Sequence, residues 1–202
     1  MKKVEHGKTF DRNAANPPAF EIFHNTVTEG YPEHWHTAIE IIMPTRGEYE
    51  VVVGKDSYNL KEGDIIMINS GVVHGMRFVS QGERIVMLVE PGCVENQEEM
   101  ETIFLRLPAI YFKKEDEEDP FYLFLRSQIL ELVREYDNEG AVMTHRICTG
   151  LKELFSEFGR KGFSDANAQN TFGAMKQQEY IEAVLSVCRY INAVSYTHLR
   201  AH

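Results

Sequence analysis

Basic residues are scarce in this sequence, with 21 Lys and Arg against 31 Asp and Glu and a formal net charge of −10. A nucleic-acid-binding surface needs excess positive charge, because much of its affinity comes from neutralising phosphates. The pair Lys113-Lys114 is followed at once by the acidic run from Glu115 to Asp119. We therefore expect the chain as it stands to bind DNA poorly.

Cysteine and long apolar runs are also rare. The three cysteines, Cys93, Cys148 and Cys188, are odd in number and lack CxxC spacing, which suits a reducing compartment. No apolar run approaches the length of about 18 residues that a membrane-spanning helix needs. The first residues, Met1 to His6, lack the apolar stretch of a secretory signal. We expect a cytoplasmic protein with no membrane partner.

What the chain does have is a concentration of metal-ligand residue types between positions 34 and 74. His34, His36 and Glu40 have even spacing, so on one strand their side chains face the same side. His74 stands at the start of a later predicted strand. Three neutral imidazoles and one carboxylate form a sensible ligand set for a first-row divalent metal.

The flanking sequence predicts a small β-barrel around these residues. Apolar runs at 39–43, 49–53 and 65–68 are separated by turn residues such as Gly, Asn and Asp, which is typical of short strands. Tyr49 has the parity of Val51 and Val53 and is expected to point inward. The predicted ligand-binding groups of the interior are His34, His36, Glu40, Tyr49 and His74.

The spacing around Glu40 resembles the first motif of the cupin family. That motif is His-x-His, three or four residues, Glu, six residues and Gly, and it is met by His34, His36, Glu40 and Gly47. The leading glycine departs from the pattern, because three residues separate Gly30 from His34 and the family has five.

The second cupin motif is matched in part. Gly63, Gly71 and His74 agree with it, whereas Asn69 replaces its Pro and Phe78 replaces its final Asn. The resemblance covers residues 18–92 and implies a cupin-like barrel, or double-stranded β-helix, over a domain at 18–95 after an N-terminal segment at 1–17. Many cupins keep these positions without an ion, so the resemblance implies the fold more strongly than a metal.

Three interpretations of the histidine and glutamate positions stay open at this point. They could hold a divalent metal, contact an organic effector directly, or form a hydrogen-bonded polar cluster with neither role. Glu40 decides between them, because a buried carboxylate needs a cation, a donor network or a proton. No cofactor is expected to be required, although a divalent metal could occupy the barrel.

Beyond the barrel the apolar period becomes helical, which makes the expected fold mainly β with C-terminal α. Asp119-Pro120 is a typical helix start, and a second helix is predicted from about Ala141 to Phe158. Two helices joined by a short loop form an antiparallel pair. The region 96–163 could pack within one subunit or form a homodimer, and the predicted interface residues are Phe121, Phe124, Leu125 and Ile129.

The C-terminal part changes character again. Residues 164–175 have the polar composition of a linker, and 176–193 have the apolar spacing of a single helix, the start of a helical domain. The last residues, 194–202, match a translated sequencing adapter as a whole string, and we expect them to be non-native. The sequence is therefore expected to be a fragment.

The order of barrel, helix pair, linker and helix is similar to that of the AraC/XylS family of bacterial transcriptional regulators. This resemblance implies a small-molecule effector such as a sugar in the barrel, a homodimer and no enzyme activity. DNA would be bound only through the missing helix-turn-helix region of the full-length parent. The alternatives are a free-standing metabolite-binding module or a metal-dependent cupin enzyme, a dioxygenase or isomerase using His34, His36, Glu40 and His74.

Overall fold

The computed structural model describes residues 19–26, 30–93, 109–114, 118–138 and 140–161. Within them, nine strands form two antiparallel sheets and two helices follow the strands. The expected N-terminal segment, linker, third helix and non-native tail lie outside the described residues, as does Cys188. Neither described helix is long and apolar enough to cross a membrane.

The two sheets face each other as the walls of a barrel. The five-stranded sheet has the order β1-β8-β3-β6-β9, and the four-stranded sheet has the order β2-β7-β4-β5. The strands are β1 Phe20–Asn25, β2 Tyr31–His34, β3 Ile39–Arg46, β4 Tyr49–Val53, β5 Asp56–Leu60, β6 Ile65–Ile68, β7 His74–Phe78, β8 Glu83–Val89 and β9 Ala109–Phe112. The predicted strands at 39–43, 49–53 and 65–68 are thus confirmed.

Two glycines make turns that carry the chain from one sheet to the other. Gly47, between β3 and β4, has φ 79°, and Gly63, before β6, has φ 87°. This left-handed backbone region is costly for residues with a Cβ. The Gly63 amide also donates to the Pro44 carbonyl at 2.8 Å, which ties this turn to β3.

Alternation along the strands divides the apolar residues into two layers. Ile42 faces the barrel interior, where it packs with Val51, Ile66 and Met76. Its neighbour Ile41 belongs to the other layer, on the outer face of the five-stranded sheet. Because successive strand residues point to opposite faces, β3 is buried on both sides.

The outer layer is covered by the helix pair, α1 Pro120–Asp137 and α2 Met143–Lys161. As predicted, Asp119 is the N-cap of α1, and its side chain accepts a hydrogen bond from the Phe121 amide at 2.8 Å. The Tyr122 hydroxyl donates to the Gly63 carbonyl at 2.8 Å. A mainly β barrel followed by a helix pair is therefore the observed fold class.

One strand lies in the region that sequence reasoning gave to helices. Ala109–Phe112 forms β9 and pairs with β6, with Met67 opposite Ile110. The segment is too short to show a period, and its pairing partner is more than 40 positions away in the sequence. The tertiary neighbour therefore decides its conformation, which local propensity does not reveal.

The predicted dimer residues on α1 have different environments. Leu125 and Ile129 are fully buried in the layer between the helices and the sheet. Phe121 is half-buried, and its ring centre lies 5.0 Å from that of Phe158. Phe124 is also half-buried. The large apolar residues that α1 exposes are Leu123, at 50%, and Leu130, at 38%.

Candidate metal centre

The histidine and glutamate residues of the cupin motifs come from both sheets. His34 ends β2 and pairs with His74 at the start of β7, in the four-stranded sheet. Glu40 lies on β3 in the five-stranded sheet, opposite Ile68. The expectation that His34, His36 and Glu40 share one strand was wrong, because the chain leaves β2 after His34 and His36 lies in the connection to β3.

The side chains nevertheless converge on one point. The candidate ligand atoms of His34, His36, Glu40 and His74 all lie within 4.8 Å of one another. His36, Glu40 and His74 are buried, whereas His34 is half-buried and lies nearest to solvent. The ring centres of His34 and His74 are 4.5 Å apart, and those of His36 and His74 are 5.0 Å apart.

Each of the three rings is oriented by a backbone carbonyl two residues away in the sequence. A carbonyl oxygen only accepts, so we assign the proton of each ring to Nδ1 as the donor. Nε2 is then left to face the common point, an arrangement typical of metal-ligating histidines. The Nδ1–O distances are 2.9 Å for His34 to Pro32, 2.9 Å for His36 to Ala38 and 2.8 Å for His74 to Val72.

Two of these Nε2 atoms meet the same oxygen of Glu40. His36 Nε2 is 3.0 Å and His74 Nε2 is 2.9 Å from Oε2. With the ring proton on Nδ1, a neutral imidazole presents a lone pair there, and a carboxylate also only accepts. The contacts therefore require positive charge between the atoms, supplied either by a second ring proton or by a cation. The donor set fits a divalent metal ion.

Burial and hydrogen bonding act in opposite directions on the ionisation of these groups. In the absence of a metal, burial raises the pKa of Glu40, but hydrogen bonds from His36 and His74 outweigh it and hold that pKa well below its usual range. Burial lowers the pKa of His74, and its contacts with Glu40 and Val72 reverse this to a net rise. Burial also lowers the pKa of His34. Glu40 is thus ionised and His34 neutral near pH 7.

The connection that carries His36 is fixed from three sides. The Gly71 amide donates to the His36 carbonyl at 2.8 Å, and the Ser70 hydroxyl donates to the Thr37 carbonyl at 2.6 Å. The Thr37 hydroxyl lies 2.9 Å and 3.1 Å from the two carboxylate oxygens of Glu90. These bonds hold His36 in place although it lies outside regular structure.

Tyr49 faces the barrel interior as its parity predicts, but it lies apart from the other candidate residues. Val53 is opposite His74, and Tyr49 is four residues further along β4, which is about 13 Å at the usual rise per strand residue. Tyr49 is fully buried, and the guanidinium carbon of Arg84 lies 4.7 Å from its ring centre. Its role as a ligand-binding group remains a prediction for the opposite end of the interior.

Sequence reasoning did not predict the burial of two charged residues. Arg84 is 1% exposed, and its parity with Val86 and Leu88 on β8 was the available signal. Asp64 is 4% exposed and accepts hydrogen bonds from Tyr111 Oη at 2.6 Å, from the Lys114 amide at 2.8 Å and from the Lys61 amide at 2.9 Å. Asp64 thereby joins β9 to the turn before β6.

Comparison with known proteins identifies residues 25–90 as a cupin domain. A search of curated protein sequences finds no significant match.

Solved structures resemble the barrel at low identity. A Streptococcus pyogenes protein of unknown function is 18% identical over 36% of this chain and 63% of its own, with TM-score 0.33. A Bacillus subtilis oxalate decarboxylase variant is 18% identical over 35% of this chain and 20% of its own, with TM-score 0.31. Fatty-acid-bound ToxT from Vibrio cholerae is 13% identical over 72% of this chain and 55% of its own, with TM-score 0.44. The matched region thus spans less than two thirds of each of these proteins.

Proposed function

We propose that this chain is the ligand-sensing part of an AraC-type transcriptional regulator whose barrel holds a divalent metal. The observation that supports the metal is that two histidine Nε2 atoms, those of His36 and His74, contact Oε2 of Glu40. His36 and His74 each donate the Nδ1 proton to a backbone carbonyl, so the atoms that face the centre are acceptors. A divalent cation satisfies all of them at once, and His34 completes a set of four ligands.

The effector would bind at this metal. Four protein ligands leave two positions of a six-coordinate ion for oxygen atoms of a small molecule, such as the hydroxyls of a sugar. The half-buried His34 marks the side from which it would enter, and the ring centre of the exposed Tyr31 lies 6.1 Å from that of His34. A ring of this kind offers an apolar surface to a bound organic molecule.

The helix pair would carry the response. Ile39 and Ile41 flank Glu40 on β3 and are buried in the layer beneath the helices. Movement of Glu40 would therefore change the packing of this layer against α1 and α2. A homodimer through α1 would present two DNA-binding regions in the cytoplasm, each beginning near 176–193. An effector that binds one arrangement of the dimer more tightly increases the population of that arrangement, and with it the way in which both DNA-binding regions are presented.

The regulator proposal is tested by amplifying and sequencing the source DNA beyond codon 193. We expect an open reading frame that encodes two helix-turn-helix units, the elements that enter the major groove in such regulators. A stop codon within a few residues would contradict the regulator and leave the metal centre to be explained by another activity.

A metal-dependent cupin enzyme is the second candidate, because open coordination positions are also what a catalytic metal needs. The same four residues, His34, His36, Glu40 and His74, would hold its metal. The two functions differ in turnover. A sensor binds its effector and releases it unchanged, so a compound that raises the melting temperature of the metal-loaded chain should be recovered intact after incubation in air. Its conversion would favour the enzyme.

A further inference from the structure

Two cysteines far apart in the sequence lie side by side at the junction of barrel and helices. Cys93 ends a short 3₁₀ turn, Pro91–Cys93, that follows β8, and Cys148 lies on α2. Their sulfur atoms are 3.3 Å apart across 55 positions of sequence, and both are free thiols. Neither spacing nor a motif in the sequence links the two cysteines.

The two sulfur atoms need little movement to form a disulfide. A disulfide bond is about 2.05 Å long, so the two sulfurs need to approach by only about 1.3 Å. The turn at Pro91–Cys93 is short, and both cysteines are half-buried and not fully enclosed.

The surroundings of Cys93 disfavour its reactive thiolate form. Burial, followed by the hydrogen bond and charge of Cys148, raises the pKa of Cys93 to about 12, with Lys152 lowering it in part. A thiol with so high a pKa is mostly protonated at neutral pH, and the thiolate is the form that exchanges with disulfides. Exchange at Cys93 should therefore be slow near pH 7 and faster at higher pH.

We propose that Cys93 and Cys148 are a modification site, a dithiol that is reversibly oxidised to an intrachain disulfide by a small-molecule disulfide such as oxidised glutathione. One cysteine attacks the external disulfide, forms a mixed disulfide and releases one glutathione thiol. The second cysteine attacks the protein sulfur of that mixed disulfide and releases the second glutathione thiol. The protein loses two protons and two electrons, and one external disulfide becomes two thiols.

The bond would join α2 to the turn after β8, and that turn lies close in sequence to a residue that holds the connection carrying His36. Glu90, three residues before Cys93, accepts the hydrogen bonds of the Thr37 hydroxyl, and Thr37 follows His36. The disulfide would therefore fix α2 relative to the segment that positions a candidate metal ligand. This consequence does not depend on which small molecule the barrel binds.

The test uses the full chain with Cys188→Ala, which leaves only the two thiols in question. The protein is equilibrated at about pH 8 in buffers of reduced and oxidised glutathione, then trapped by alkylation and analysed by mass spectrometry. We expect both thiols to be lost together, with a mass lower by about 2 Da for the two hydrogens. A peptide pair joining Cys93 to Cys148 should appear and be reversed by dithiothreitol.

A second experiment distinguishes a disulfide that the fold favours from non-specific oxidation of two thiols. In concentrated urea the same disulfide should form at a glutathione ratio at least about 100-fold more oxidising, because the unfolded chain rarely brings the two sulfurs together. Cys148→Ser should give only a glutathione adduct on Cys93. Retention of both thiols in the folded chain, or separate adducts without the joined peptides, would overturn the proposal. Equal oxidation in urea and in buffer would overturn it as well.

Discussion

Oε2 of Glu40 lies 2.9 Å from Nε2 of His74, and this contact joins the two sheets across the barrel interior. His36 reaches the same oxygen at 3.0 Å. The carboxylate therefore stands where a metal ion would take its negatively charged ligand. The proposed metal centre requires a cation in the space between these atoms.

Stability should depend on pH in different ways with and without metal. The lowered pKa of Glu40 contributes stability above its ordinary value of 4.5, and this is lost as pH falls. The raised pKa of His74 contributes stability below 6.5 that is lost as pH rises, whereas the lowered pKa of His34 acts in the opposite sense. Between about pH 5 and 8 these two effects act in opposite directions, so the stability of the metal-free protein should change less than either histidine alone would make it.

Metal-loaded protein should instead gain stability as pH rises over that interval, because protons compete with the metal for Nε2. Urea unfolding of the chain in a chelator and in excess Zn²⁺ or Mn²⁺, at several pH values, measures both slopes. Parallel slopes would contradict a metal at these histidines.

Asp64 should be a large single contributor to the stability of the barrel. Asp64→Ala removes the acceptor of the Lys61 and Lys114 amides and leaves the Tyr111 hydroxyl only the Asn59 carbonyl. We expect a loss of about 2–4 kcal/mol in the free energy of unfolding. The matched control is the neighbouring, exposed Glu62→Ala, which should change it by less than about 0.5 kcal/mol. Equal effects of the two substitutions in urea unfolding would refute the role of Asp64.

Thr37 should act on metal affinity without being a ligand. Thr37→Val removes the hydroxyl that binds Glu90 and frees the connection that carries His36. Loss of such a supporting contact weakens metal binding by about 10- to 100-fold. Thr149→Val is the control, because its hydroxyl bonds a carbonyl on the exposed surface of α2. Competition with a chromophoric chelator gives both metal affinities. If the metal affinity of Thr37→Val equals that of the unchanged chain, the connection needs no support from Thr37.

A homodimer through α1 should depend on its exposed leucines. Leu123→Asp and Leu130→Asp place charge on the surface that α1 leaves uncovered, and each should reduce a dimer to a monomer in analytical ultracentrifugation. Phe121→Asp and Phe124→Asp should do the same, with a cost to folding because both side chains are half-buried. Val79→Asp, an exposed position that follows β7, should leave the mass unchanged. Dissociation by Val79→Asp alone would place the interface elsewhere.

Local patterns in the sequence were sufficient for the central strands and for the candidate ligands. Alternation reveals a strand that is buried on one face, and the residues of β4 show it plainly from Tyr49 to Val53. The spacing of His34, His36 and Glu40 pointed to one site although the strand assignment behind it was wrong. The convergence instead depends on the turn after β2, which places His36 between the two sheets.

What the sequence did not reveal comes from contacts between distant positions. Cys93 and Cys148 meet because α2 packs beside the turn after β8, and nothing near either residue encodes that. Arg84 lies inside the barrel over Tyr49, whereas an arginine near a turn is most often exposed. The pairing of β9 with β6 likewise depends on a contact between distant positions of the sequence.

The most direct measurement is a titration of the metal-free chain with Mn²⁺ and Zn²⁺ by calorimetry, with bound metal counted by elemental analysis. The account predicts one ion per chain, and a loss of at least about 100-fold in affinity for His36→Ala and Glu40→Gln. His145→Ala, an exposed histidine on α2, should bind as the unchanged chain does. Absence of binding, or equal weakening by His145→Ala, would contradict a metal centre in this barrel.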